Sequence, residues 1–343
     1  MFENVSKTNL DNFGEFNLIQ KLTSVFESTH NNLIIGNGDD ASAYLPGENL
    51  LQVVSTEILV ENVNFDLMYT PLKHLGYKAV VAGISDIYAM NATPKFITIA
   101  IAASSKYTLE ALEDLYSGIY QACKNYELNL IGGDTNTSPK GLTISVTAIG
   151  EVKSENIVSR KGCKPNDLLC VSGDLGGAFL GHKLLEREKR LYLENPEMQP
   201  DLEGFDYIVS RQLKPEARKD IIALLAELQI KPSAMIDLSD GLASDLKHLA
   251  LQSGVGFHIY EEKLPIDPQS LEMASEFNLD ATTCVLNGGE DFELLFTIPQ
   301  SDFEKIKSSM DISIIGHATD QTGVCKLITP SGNQFDLTAQ GWG

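Results

Sequence analysis

Apolar residues recur along this chain with two periods, and the alternation between them predicts a mixed α/β protein. Leu50–Thr56 is a β-rich run, and Leu72–Met90 places apolar or small residues at helical spacing. Phe96–Ala103 is an unbroken apolar stretch of strand length and reads as a buried strand. Thr108 is positioned to cap a helix whose stripe is Leu112, Leu115, Ile119 and Ala122. Leu128–Ile131 and Leu142–Ile149 are strands again. Over Gly150–Pro165 the chain turns polar and basic, with Lys153, Arg160, Lys161 and Lys164. That stretch is the expected crossing from a first domain, residues 1–151, to a second, residues 152–343.

The second half opens with a strand, Leu168–Ser172, a glycine-rich turn, Gly173–Gly177, and a helix running to about Glu188. Residues 189–206 are polar and aperiodic and are expected to form a loop. Pro215–Leu228 and Gly241–Gln252 predict helices, the second with Leu242, Leu246, Leu249 and Ala250 on one face. Leu294–Ile298 and Ile312–Ile315 predict short strands. A length of 343 residues suits two domains better than one core.

Charge narrows the function. The 47 acidic and 26 basic residues leave a net charge of −21. Such a chain lacks the basic surface that nucleic acid requires, and an anionic membrane would repel it. Any phosphate it binds calls for cations in between. No apolar run approaches the ~20 residues of a membrane span. The opening residues, Met1-Phe2-Glu3-Asn4, lack the charged and apolar regions of a signal peptide, so a cytoplasmic location is expected. The five cysteines are odd in number and show no C-x-x-C spacing, which predicts reduced structural thiols and no zinc site. The six histidines are scattered and suggest no metal centre.

The informative pattern is acidic residues at turns beside glycine or hydroxyl side chains. They occur as Gly36-Asn37-Gly38-Asp39-Asp40, Ser55-Thr56-Glu57, Ser85-Asp86, Gly132-Gly133-Asp134, Asp237-Leu238-Ser239-Asp240-Gly241 and Gly288-Gly289-Glu290-Asp291. Taken alone, each is an ordinary solvated turn. Six together, several after strand-like runs, point to a site holding several Mg²⁺ ions, since carboxylate oxygens are the ligands Mg²⁺ prefers. Asp86 shares a small, apolar helix side with Ala79, Ala82, Gly83 and Met90. A carboxylate turned inward there needs a cation or several donors: a metal, a structural lysine or arginine, or else the helix ends before Asp86. Two readings stand for Gly173–Gly177, a phosphate cradle at a helix N-terminus or a tight strand-to-helix turn, because the P-loop lysine is missing. Arg160, Arg211, Lys214 and Arg218 are the basic residues best placed to meet an anion, or else they are surface charges. No kinase catalytic loop and no G-x-S-x-G elbow is present.

In this order the motifs resemble those of the thiamine-monophosphate kinase family. That family belongs with aminoimidazole ribonucleotide synthetase, selenophosphate synthetase and the hydrogenase maturation protein that handles carbamoyl groups. The resemblance runs from Gly14-Glu15-Phe16 to Gly341-Trp342. It is carried by Gly38-Asp39-Asp40-Ala41, Lys78-Ala79-Val80, Ser85-Asp86-Ile87, Ile131-Gly132-Gly133-Asp134-Thr135, Ile236–Leu242 and Gly288–Leu294. It implies that Asp40, Ser55, Thr56, Glu57, Asp86, Asp134, Asp237 and Asp240 hold several Mg²⁺ ions, with Glu57, Asp134 and Asp240 as the catalytic members. It further implies that Gly133, Asp134, Arg160, Ser239 and Tyr116 contact ATP, and that Asn64, Glu290 and Trp342 face thiamine monophosphate. The implied reaction is direct in-line transfer of the γ-phosphoryl of ATP, giving thiamine diphosphate. The implied architecture is an N-terminal α/β domain forming a dimer sheet or barrel, followed by a sandwich-like α/β C-terminal domain, in a homodimer.

Three positions depart from the family pattern: Glu57 stands for Asp in Ser-Thr-Asp, Asn64 for His before Phe65, and Gly83 for Asn in Asn-x-Ser-Asp. Those departures keep two alternatives in view, another ATP-dependent phosphoryl transferase of the superfamily and a weakened or inactive nucleotide-binding homologue.

Overall fold

Each half of the chain builds its own sheet. The structure, a computed structural model, describes residues 15–24 and 30–338. The first half runs α1 (Glu15–Thr23), β1 (Leu33–Ile35), β2 (Ser42–Tyr44), β3 (Leu50–Val60), α2 (Leu72–Ala89), β4 (Thr93–Ala103), α3 (Leu109–Tyr126), β5 (Asn129–Thr137) and β6 (Leu142–Lys153). Its strands order as β1-β2-β3-β6-β4-β5. β6 pairs antiparallel with both β3 and β4, and β5 lies parallel to β4 as the edge.

Alternation decides which face is covered. Leu51, Val53 and Leu59, with Ile97, Ile99 and Ile101 and with Ile144, Val146 and Ala148, turn one face into the core. α2 is buried along almost its whole length, as expected of a helix apolar on nearly every side. It packs on α3 at close range: a Cβ on Gly118 would stand 1.7 Å from the Lys73 carbonyl oxygen, so no other residue fits there. Thr108 caps α3 as expected, its Oγ1 accepting from the Ala111 amide. The sheet is open, with β1 and β5 as free edges, so the described chain forms no closed barrel by itself.

The second half runs β7 (Leu168–Ser172), α4 (Gly177–Glu194), α5 (Asp206–Leu213), α6 (Lys219–Glu227), β8 (Ala234–Asp237), α7 (Leu242–Ser253), β9 (Gly256–Tyr260), α8 (Pro268–Glu276), α9 (Ala281–Asn287), β10 (Leu294–Ile298), α10 (Phe303–Ile306), β11 (Ile312–Thr319), β12 (Cys325–Ile328) and β13 (Gln334–Asp336). Seven strands order as β13-β12-β9-β11-β7-β10-β8. Leu242, Leu246, Leu249 and Ala250 of α7 pack with Ile236, Phe257 and Leu295 in one core. Ile221 and Leu225 of α6 pack with Cys170, Met235 and Phe296 in another.

Two expectations fail locally. α4 continues to Glu194, past the expected end near Glu188, and Lys189 within the extra turns pairs with Glu186 at 3.2 Å. The helix expected over Pro215–Leu228 starts only at Lys219. Upstream, the Ala217 amide donates to the Tyr126 hydroxyl at 2.9 Å and Arg218 reaches Glu293, contacts that hold this stretch out of helical form. All five cysteines are buried free thiols. Among the described residues no helix is long and apolar enough to cross a membrane.

Candidate functional site

The loop before β2, the middle of β3, the C-terminal part of α2 and the end of β8 converge on one cleft of about 730 Å³. Asp40, Asp86 and Asp237 each direct a carboxylate oxygen into it, and these oxygens lie within 4.8 Å of one another. Each is held from outside the cluster. The Ser55 hydroxyl donates to Asp86, and the Ser85 hydroxyl donates to Asp237 at 2.6 Å. Arg160 donates from Nη2 to Asp40 Oδ1 at 2.8 Å and from its backbone amide to Asp39. The second oxygen of Asp40 is buried and accepts no hydrogen bond among the described residues.

Crowded carboxylates in a dry setting resist ionisation. Burial, then Asp237, Glu57 and Asp40, hold the Asp86 carboxyl well above its ordinary value. Burial and Asp40 push Asp237 up to about 7, and the same causes push Asp39 to about 6. Behind them Asp245, on α7, is raised well above its ordinary value by burial and by Asp240, whose backbone amide it accepts at 3.2 Å.

Ser55, Thr56, Glu57 and Asn64 line the cleft from β3 and the turn after it. Arg160, Ser239, Asp240 and Glu290 line it from the second half. Asn64 accepts the Val60 amide on Oδ1 at 2.9 Å, which leaves its NH₂ group for a ligand. Glu290 is presented by an unusual turn, in which Gly289, Glu290 and Phe292 all have positive φ. The Glu290 and Phe292 amides donate to the carbonyls of Ser239 and Leu238 at 2.8 and 2.9 Å, so the Gly-Gly-Glu-Asp and Asp-Leu-Ser-Asp segments hold each other.

Not all expected residues meet there. Gly133 and Asp134 lie on edge strand β5, three strand positions from β3, or about 14 Å at ordinary strand spacing. Asp134 is exposed there, and its Oδ1 accepts from the Thr135 amide. Tyr116 is half-buried on α3 against the first core, away from the cleft. Trp342 lies outside the described residues.

The turn Gly173–Gly177 is a structural one. Asp291 accepts the Gly176 amide at 2.8 Å and the Ala178 amide at 3.3 Å, so a carboxylate of the chain already occupies the N-terminus of α4. Arg211 and Arg218 both pair with buried Glu293, and Lys214 lies 3.9 Å from Glu216. Of the four candidate basic residues only Arg160 reaches the cleft. Sequence reasoning gave no role to Lys78, which lines the cleft from α2. Its signal is a lysine inside the run Leu75–Ile84, which is otherwise apolar or small.

Comparison with known proteins agrees with this geometry. Residues 38–152 match the AIR synthase related protein, N-terminal domain, and residues 164–325 match the AIR synthase related protein, C-terminal domain. A thiamine-monophosphate kinase of Bacillus subtilis (strain 168) is 34% identical over 333 residues, covering 96% of this chain and 98% of its own. That of Aquifex aeolicus (strain VF5) is 32% identical over 327 residues, covering 94% and 98%. A solved structure of AaThiL complexed with AMPPCP and TMP is similar with a TM-score of 0.83 at 29% identity, covering 98% of this chain and 99% of that one. A hydrogenase maturation protein HypE in complex with ATP, 19% identical with a TM-score of 0.67 over 93% of this chain and 94% of that one, shares the fold.

Proposed function

This chain belongs to the AIR synthase related family and, within it, to the thiamine-monophosphate kinases, and from that membership we propose that it transfers the γ-phosphoryl of ATP to thiamine monophosphate. The observation that carries the reading is the cleft in which Asp40, Asp86 and Asp237 crowd within 4.8 Å. The donor set fits Mg²⁺: hard oxygens, mutually repelling carboxylates, and a buried Asp40 oxygen with no donor among the described residues. Asp40, Ser55, Thr56, Glu57, Asp86, Asp237 and Asp240 are the residues that would hold such ions, with Asp134. When bound, divalent ions supply charge neutralisation and orientation of the phosphates.

The chain's own residues have little covalent chemistry to do. The acceptor is a phosphate monoester, already an oxyanion at neutral pH, so no general base is required. What remains is holding two anions in line, which is positioning and electrostatics. Arg160, fixed by Asp40 and Asp39, offers a cation to ATP beside Ser239. Asn64 offers its NH₂ group and Glu290 a carboxylate to the acceptor, with Trp342 as a third contact. Glu57 keeps the charge of the family's Asp on a longer arm.

Gly133, Asp134 and Tyr116 lie off the cleft of a single chain, while β5 is exposed along its whole length. A homodimer in which a second copy brings Asp134 to the cleft accounts for both features and covers the free edge. The proposed location is the cytoplasm, where ATP is abundant and free thiols stay reduced. ADP release with thiamine monophosphate, with thiamine, and without acceptor tests the proposal. Release that depends on the monophosphate supports it, and release indifferent to the acceptor contradicts it.

A further inference from the structure

We propose that Lys78 and Gln212 form a clamp that positions Glu290 for acceptor recognition, fixing one carboxylate oxygen so that the other faces the cleft. Lys78 is 2% exposed in the middle of α2. A buried ammonium is costly unless it is paired and hydrogen-bonded. Its Nζ donates to Glu290 Oε2 at 3.0 Å and to the Gln212 carbonyl at 3.2 Å. Gln212, buried on α5, donates its Nε2 to the same Glu290 oxygen at 3.1 Å. Oε2 thus takes two donors from two helices in different halves of the chain, while Oε1 takes none among the described residues.

The arrangement has a use. Glu290 sits at φ +59 on a turn, where a free carboxylate would sample several rotamers. Anchoring Oε2 removes that freedom before the ligand arrives, so Oε1 meets it without an ordering cost. Lys78 and Glu290 both line the cleft, which puts the clamp at the ligand and not behind it. Lys78 and Gln212 therefore act through Glu290 as positioning residues. The inference rests on the reading that Glu290 faces thiamine monophosphate.

The test is steady-state kinetics on the full chain with Glu290→Gln, Lys78→Met, Lys78→Arg and the Lys78→Met/Glu290→Gln double variant. Lys78→Met is expected to raise KM for thiamine monophosphate about tenfold, the effect of losing one charged hydrogen bond, with KM for ATP within about twofold. Lys78→Arg should recover most of that loss. The double variant should lie within about twofold of Glu290→Gln alone, because the clamp has nothing left to hold. Should Lys78→Met fail to fold, Gln212→Met removes the other donor without leaving a charge unpaired, with an expected rise of about threefold. Independent, multiplying effects in the double variant, or equal changes in the KM of both substrates, would overturn the clamp. A Glu290→Gln enzyme with unchanged acceptor KM would instead remove Glu290 from the acceptor site, and the clamp with it. A wild-type chain that leaves thiamine monophosphate unphosphorylated would overturn the functional reading itself.

Discussion

Replacing one of the three clustered carboxylates should make the metal-free protein more stable, not less. Asp40, Asp86 and Asp237 stand within 4.8 Å of one another, and two like charges at that distance repel by about 3 kcal/mol at an effective dielectric near 20. Asp237 responds in the same direction: burial first, and the Asp40 charge after it, raise its carboxyl from 3.8 to about 7. Because the folded-state value is the higher one, this group's contribution is fully present below about pH 4 and is lost as pH rises through about 7. Asp86→Asn removes one charge, keeps the shape, and leaves an amide oxygen for the Ser55 hydroxyl. With about half of the repulsion already relaxed by protonation and solvent, the expected gain is roughly 2 kcal/mol, or about 4 °C in Tm. Thermal unfolding near pH 8 with a chelator, then with excess Mg²⁺, measures it. Wild type should gain about 2–3 kcal/mol from the ion at a hundredfold excess over its Kd, while Asp86→Asn should start higher and gain little. A lower metal-free Tm for Asp86→Asn, or equal gains from Mg²⁺ in both proteins, would refute the reasoning.

If the proposed roles hold, Asp134→Asn and Asp240→Asn should each cut turnover by orders of magnitude while leaving the circular dichroism spectrum unchanged, since the role proposed for both is on phosphates and not in a core. Near-normal turnover of both at limiting Mg²⁺ would remove them from the site. Light scattering should give twice 37.5 kDa, and a fully active monomer at micromolar concentration would count against the dimer. Gly83→Asn, which restores the family residue, should lower stability by about 1–3 kcal/mol. A Cβ there would stand 3.0 Å from Val146 Cγ1, so Val146→Ala in the same chain should relieve much of the loss in a melting experiment.

How much of this was legible beforehand depends on the range of the contacts involved. β7 occupies Leu168–Ser172 as read, and the α7 face of Leu242, Leu246, Leu249 and Ala250 is buried as read, because periodicity is local. The cleft was legible as a set of motifs: Asp40, Glu57, Asp86, Asp237, Asp240 and Glu290 come from five acidic segments that meet in space, although Glu57 lies within strand β3 and Asp86 within helix α2 and not at turns. What no local pattern carried was the partner of each charge. Arg160 and Asp40 are 120 residues apart, and Lys78 and Glu290 are 212 apart. The role of Gly173–Gly177 was undecidable from its own residues, because Asp291, about as distant, takes its amides. The short strands β9 (Gly256–Tyr260) and β12 (Cys325–Ile328) carry no predicted strand because His258 and Lys326 break the apolar runs that mark the equally short β7 and β10. Gly83 became intelligible only against Val146 on the neighbouring strand.

The central claim is the transfer itself, and ³¹P NMR of the chain with ATP, Mg²⁺ and thiamine monophosphate follows it directly. The account predicts that the monophosphate resonance is replaced by the two coupled resonances of thiamine diphosphate, in step with ADP and without inorganic phosphate. An unchanged acceptor resonance, with or without ADP and inorganic phosphate, would contradict it.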